Sequence, residues 1–198
     1  GLDGFELKAG QWIGLLRWLR EQQDSRTSVL KRALRLSTQS TFEDAQERAE
    51  SLATELGLSV IPAETLIEKI EHDLDVPVLF VDTIQAEDGQ SISGATCHLE
   101  EMAVILINRN ETEARRFYDL AHELFHALTW DAMKPDHRES NSIEDRNKVK
   151  RIEQLANNFA AALLMPRASL DKLIARDRFD DIAHLCEVSA LLRVSPAA

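Results

Sequence analysis

The run His122-Glu123-Leu124-Phe125-His126 places two imidazoles four residues apart around a glutamate. On a helix, residues i and i+4 share a face one turn apart, so both rings can reach a single ion. The segment Arg115–Trp130 holds no Gly or Pro and alternates apolar and polar residues at helical spacing, which predicts that helix. Two neutral ring nitrogens plus an oxygen donor suit Zn²⁺, whose filled d shell tolerates the open position that hydrolysis needs. Glu123, beside one histidine and on the same side of the helix, can hold and deprotonate an attacking water. A chance match to this pattern is expected in under ~1% of chains this long, and helical context lowers that further. Burying two histidines and a glutamate beside Ala121, Leu124, Phe125 and Leu128 is also costly without a metal.

A hydrolytic zinc site needs a third protein donor. A metzincin would place Gly and then His after the second histidine, where this chain has Thr129 and Ala132, so that class is excluded. Cys97, 25 residues before His122, is an upstream thiol of the deformylase type by position. Its surroundings, Gly94-Ala95-Thr96-Cys97-His98-Leu99, lack the matching glycine-cysteine-leucine signature, and a buried strand cysteine is the expected role. A glutamate from a following helix is the third option. Glu153 lies 27 residues after His126 in a segment whose Leu155, Phe159, Leu163 and alanines form a packing face. Spacing alone also allows Asp136, Glu139, Glu144 and Asp145, although carboxylates in a charged loop are normally solvated, and His137 reads as a loop residue.

These residues need elements to hold them. Trp12, Leu15, Leu16 and Leu19 recur at helical spacing, and Ser28–Leu36 reads as a short second helix. Thr41 is a predicted cap for a helix over Phe42–Leu56, closed by Gly57. Pro62 opens another helix, about Ala63–Leu74. The pattern then changes: Val76–Val81, Ile92–Leu99 and Met102–Ile107 are short, β-rich runs. From Glu111 the pattern is helical again, interrupted by the polar stretch Lys134–Asn147. The expectation is an α+β domain with a small, mostly antiparallel sheet, because its strands lie close together in sequence. Met102–Ile107 is the natural edge on which an extended peptide could add as a further strand.

The HExxH run, the downstream Glu153-x-x-Ala156-Asn157-x-Phe159-Ala160, the closing Leu163-Leu164-Met165-Pro166 and the strand ending Ile107-Asn108 together resemble the ImmA/IrrE metallopeptidases. The resemblance covers about Thr41–Val188. It implies a minimal, gluzincin-like zincin core, with the sheet packed against the HExxH helix and a following helix that carries the glutamate ligand. It further implies His122, His126 and Glu153 as zinc ligands and Glu123 as general base. Members typically cut a partner repressor of the helix-turn-helix kind, derepressing stress, mobile-element or defence genes. Residues 1–40 fall outside the family core and form an N-terminal helical, basic extension; 41–198 would be the metallopeptidase domain, with a short C-terminal helical pair over 178–194. Tyr118, one turn before His122, is a candidate to stabilise the oxyanion, and Asp119 and Asn157 are candidates to orient a ligand. The segment Asp180–Arg193 superficially reads as helix-turn-helix, but its acidic residues and missing turn glycine make it a packing element, with His184 a packing or surface residue.

Composition narrows the function classes. The 198 residues are 44% hydrophobic and 29% charged, which fits a soluble globular protein rather than a fibrous or low-complexity one. No apolar stretch approaches the ~20 residues that span a bilayer, no secretory signal is visible, and two cysteines make no disulfide framework. A cytoplasmic protein without membrane contact is therefore the expectation. An opening Gly1 in place of Met suggests a tag remnant or a cut chain, either of which would leave flanking regions out of this sequence. Net charge is −11, yet residues 1–40 carry seven basic against four acidic side chains, a net of +3. A nucleic-acid signal acting through that segment is the partner this asymmetry allows. The competing reading of the same fold is a catalytically silent, zinc-containing module that binds a repressor or nucleic acid without cutting.

Overall fold

Thr41 begins the ordered core with a reciprocal cap: its hydroxyl accepts from the Asp44 backbone N–H, and the Asp44 carboxylate accepts from that of Thr41. The computed structural model describes residues 10–19, 33–82, 92–99, 102–134 and 143–196. Residues 10–19 form helix α1, and the capped helix α2 is Phe42–Glu55. Gly57, at φ +62°, ends it as the sequence suggests, with Gly57 N–H donating to Thr54 and Leu58 N–H to Ala53. A 3₁₀ turn at Pro62–Glu64 leads into α3, Leu66–Asp73. Three strands follow: β1 (Val78–Val81), β2 (Gly94–His98) and β3 (Ala103–Asn108). The chain closes with α4 (Glu113–Thr129), α5 (Ile143–Leu164), α6 (Arg167–Leu173) and α7 (Ile182–Leu191).

The sheet is mixed, in the order β1-β3-β2. β2 pairs antiparallel with β3, as expected, whereas β1 runs parallel to β3. β2 and its flanking residues therefore act as the crossover that a parallel pair requires. Met102–Ile107 is not an edge. Every residue of β3 is buried, with β1 on one side and β2 on the other, and the outer edges of the sheet belong to β1 and β2. A continuous apolar run with no polar alternation is what a central strand covered on both faces demands.

Alternation divides the sheet between two cores. Ile105, Ile107 and Val78 face α4 and α5 in the main core, with Phe125, Phe159, Ala156 and Ala160. Met102, Val104 and Leu106 face the other way, covered by Ile13 and Leu16 of α1 with Leu79, Val81 and Cys97. Alanines at the α4–α5 contact let those helices approach closely, and Phe125 and Phe159 meet with ring centroids 5.5 Å apart.

The helix read over Ser28–Leu36 is absent from 33–36. Leu34 N–H instead donates to the Leu128 carbonyl near the end of α4 (2.9 Å), and Leu36 is buried in the main core. Most of the basic segment 1–40 lies outside the described residues. The stretch 178–194 holds one helix rather than a pair: Asp181 accepts from the N–H groups of Ala183 and His184 and so starts α7. His184 is buried against Ala175, whose N–H donates to its Nε2, and Val188 and Leu192 pack inward. No described helix is long and apolar enough to cross a membrane.

Candidate metal centre

Thr112 caps α4, and the helix runs unbroken through the HExxH run because 113–129 contains no residue that opposes it. His122, on the face turned toward α5, meets two residues one turn apart there: its Nε2 lies 3.1 Å from Glu153 Oε2, and its Nδ1 lies 2.9 Å from Asn157 Oδ1. His126 Nε2 is 3.1 Å from His122 Nε2 and 3.5 Å from Glu153 Oε1. Among the described residues, His122, His126 and Glu153 are the group whose donor atoms converge in a way that can hold a metal.

The spacing tests whether an ion fits. Donors bonded at about 2.0–2.1 Å to one tetrahedral centre stand about 3.3 Å from each other. His122 Nε2 stands 3.1 Å from both His126 Nε2 and Glu153 Oε2, two separations close to such an edge, and the 3.5 Å contact of His126 Nε2 is to the other carboxylate oxygen, Oε1. Asn157 Oδ1 accepts the Nδ1–H of His122, which leaves the Nε2 lone pair free to bind a cation. His126 Nδ1 is buried and finds no partner among the described residues. The donor set of two imidazoles and one carboxylate suits Zn²⁺.

The three groups act on one another electrostatically. Burial pulls His122 down, but its hydrogen bond to Glu153 and the charges of Glu123 and Glu153 outweigh that and hold its pKa above the usual histidine value. Burial, reinforced by the charge of His122, lowers His126 to about 4, so its ring is neutral at neutral pH. Glu153 is held below the usual carboxylate range, chiefly by the hydrogen bond from His122 and despite partial burial.

Glu123, which feels the charges of His122 and Glu153, is met by the sheet. The Thr96 hydroxyl lies 2.8 Å from Glu123 Oε2 and 2.8 Å from the Glu123 backbone carbonyl. Burial raises the pKa of Glu123, and the Thr96 hydrogen bond partly opposes the shift. A Cβ placed on Gly94 would stand 3.0 Å from Glu123 Cγ and 3.3 Å from its Oε1. Gly94 and Thr96 are two residues apart on β2 and face α4 together. Neither emerges from reading the sequence as a site residue. The available signal was the run of small residues Gly94-Ala95-Thr96, which marks a strand that another element approaches closely.

The remaining candidates separate. Tyr118 packs against the main core, its ring 6.5 Å from that of His122 and under the Arg115 guanidinium. Asp119 is buried and paired with Arg115 at 3.0 Å, on α4 but not against a histidine nitrogen. Cys97 faces the second core, away from the histidines, and burial raises its pKa. Glu144 and Asp145 fall in the first turn of α5, whereas Asp136, His137 and Glu139 lie outside the described residues.

Comparison with known proteins gives this arrangement a lineage. Residues 71–198 match the family described as the IrrE N-terminal-like domain, Peptidase M78. The radiation response metalloprotease IrrE of Deinococcus deserti is 32% identical over 136 residues, 67% of this chain and 44% of the relative. The chain thus spans under half the length of that relative. A Mycobacterium tuberculosis transcriptional regulator has the same fold over 78% of this chain and 44% of its own, with TM-score 0.54 and 17% identity. Both helices of the candidate centre fall inside the matched region, and the chain belongs to the ImmA/IrrE family of metallopeptidases.

Proposed function

We propose that the protein is a zinc-dependent endopeptidase in which His122, His126 and Glu153 hold the metal and Glu123 is the general base. The observation that carries this reading is the convergence of the three donor residues, with a partly buried carboxylate on the residue after His122 in the same helix. The bound metal would supply Lewis acidity, polarising the scissile carbonyl and acidifying the attacking water. Glu123 takes the proton from that water and hands it to the leaving amine. Its raised pKa brings it closer to the operating pH, where a base that must also act as an acid works best. An extended stretch of substrate would add its main chain to the free edge of β2, beside Glu123.

The substrate class we propose is a partner protein, a helix-turn-helix repressor whose cleavage derepresses stress, mobile-element or defence genes. Support comes from the family, from the name of the relative as a radiation response metalloprotease, and from the description of the structural neighbour as a transcriptional regulator. The test is elemental analysis of the wild type and Glu153→Ala, followed by incubation of wild type and Glu123→Gln with candidate repressors. Zinc near one per chain, held less by Glu153→Ala, with cleavage by the wild type alone, is the expected result. Zinc without any cleavage would favour the silent binding module, and no zinc after reloading would end the metallopeptidase reading.

A further inference from the structure

Glu123 leaves α4 with no charged partner at hydrogen-bond distance among the described residues; its carboxylate is met by the Thr96 hydroxyl. We propose that Thr96 is the positioning residue for the Glu123 carboxylate, and that Gly94 is glycine because the stem of Glu123 occupies the space a side chain would fill. This rests on the reading of Glu123 as the general base.

Two contacts make Thr96 more than a neighbour. Its oxygen is 2.8 Å from the carboxylate and equally 2.8 Å from the backbone carbonyl of the same residue. The hydroxyl has one proton, which it donates to the carboxylate when that group is ionised, or to the carbonyl when the carboxyl is protonated and donates to Thr96 in turn. In both states its oxygen lies against both ends of Glu123. A β-branched side chain has few χ1 choices, so the hydroxyl is itself held in place by the strand. Gly94, one step along the same strand face, bounds the stem: its absent Cβ would lie 3.0 Å from Glu123 Cγ, tighter than side chains normally tolerate. The strand position is in turn set by pairing, Gly94 opposite Ile107 and Thr96 opposite Ile105, both central and fully buried. The chain of contacts runs from a rigid central strand through an edge strand to the carboxylate. Glu123 is thus aimed by the sheet, while the three candidate metal donors meet across the contact between α4 and α5.

The experiment uses the full chain loaded with zinc, as wild type, Thr96→Val, Thr96→Ser and Gly94→Ala. Bound zinc per chain and its resistance to a chelator are expected to stay within about twofold in all four, because the donors do not touch β2. Crystal structures are expected to show the Glu123 carboxylate displaced in Thr96→Val and Gly94→Ala and retained in Thr96→Ser. With a mixture of internally quenched peptides as probe, kcat is expected to fall roughly 10- to 100-fold in Thr96→Val with KM little changed, as for a small misplacement of a reacting group, and to recover in Thr96→Ser. A Glu123 carboxylate that keeps its place in Thr96→Val, or a Thr96→Ser variant as impaired as Thr96→Val, would overturn the proposal. Should Thr96→Val not fold, Gly94→Ala decides by the same displacement. If the wild type cleaves none of the peptides, the endopeptidase reading fails there, while the carboxylate position still decides the role of Thr96.

Discussion

On its α5-facing side α4 presents two imidazoles to Glu153 and Asn157; on its β2-facing side it presents one carboxylate to Gly94 and Thr96. The first side is clamped between two long helices whose contact is built from Phe125, Phe159, Ala156 and Ala160, all fully buried. The second rests on an edge strand of five residues, each of them only partly buried. Holding a metal requires donors that stay put around one point, and close-packed helices supply that. Moving a proton requires one carboxylate aimed at a place just beside that point, and a single hydroxyl on a strand suffices to aim it. Under the proposed function the two tasks fall to separate elements and should be separable by mutation.

The largest expected effect is on the α5 side. Glu153→Ala removes one of three donors, and zinc retained after dialysis against a chelator should drop from about one per chain to a small fraction, as elemental analysis would report. Retention of full zinc would show that another group completes the site and would break the comparison at its stronger half. Next comes the β2 side: Glu123→Gln keeps the shape and should keep the metal, but lose about 10²- to 10⁴-fold in turnover of a cleaved repressor. Loss of metal in that variant would mean the two sides are not independent.

Asn157→Ala sharpens the picture by loosening a ligand without removing it. With the His122 Nδ1–H left without its acceptor, zinc affinity should weaken by about 10- to 100-fold in a chelator competition. A pH titration gives a graded version of the same test. The pKa of His122 lies above the usual histidine value of about 6.5, so protons compete with metal there first. Zinc affinity should therefore fall as pH drops through that raised value, before His126, at about 4, takes up a proton. Removing Asn157, whose hydrogen bond raises His122, should move the window to lower pH. The smallest effect on the centre is expected far from both sides. Leu106→Ala, buried in the second core, should cost about 2–5 kcal/mol in denaturant unfolding and leave zinc per chain unchanged.

The α5 side was readable because helical periodicity converts spacing into direction. Four residues separate His122 from His126 and Glu153 from Asn157, and each pair falls on one face wherever the helix goes. The β2 side was not readable in this way. Thr96 and Glu123 are 27 residues apart on elements of different period, and no local pattern states which strand face meets which helix turn. The same reason explains the sheet. Residues Met102–Ile107 carried the mark of a central strand in their unbroken apolar run, but proximity in sequence argued for neighbouring antiparallel strands, and β3 instead inserts between β1 and β2.

The sequence by itself determined helix α2 with its caps at Thr41 and Gly57, and the placing of His122 and His126 on one face of α4, because these follow from local hydrogen bonding and a fixed residue period. Tertiary structure alone decided that Glu153 closes on the two histidines. It also decided that β2 is an outer strand and that its Thr96 meets Glu123. Those outcomes depend on how the cores on the two sheet faces stack the elements. Burial is non-directional, so it is settled only when all the faces pack together.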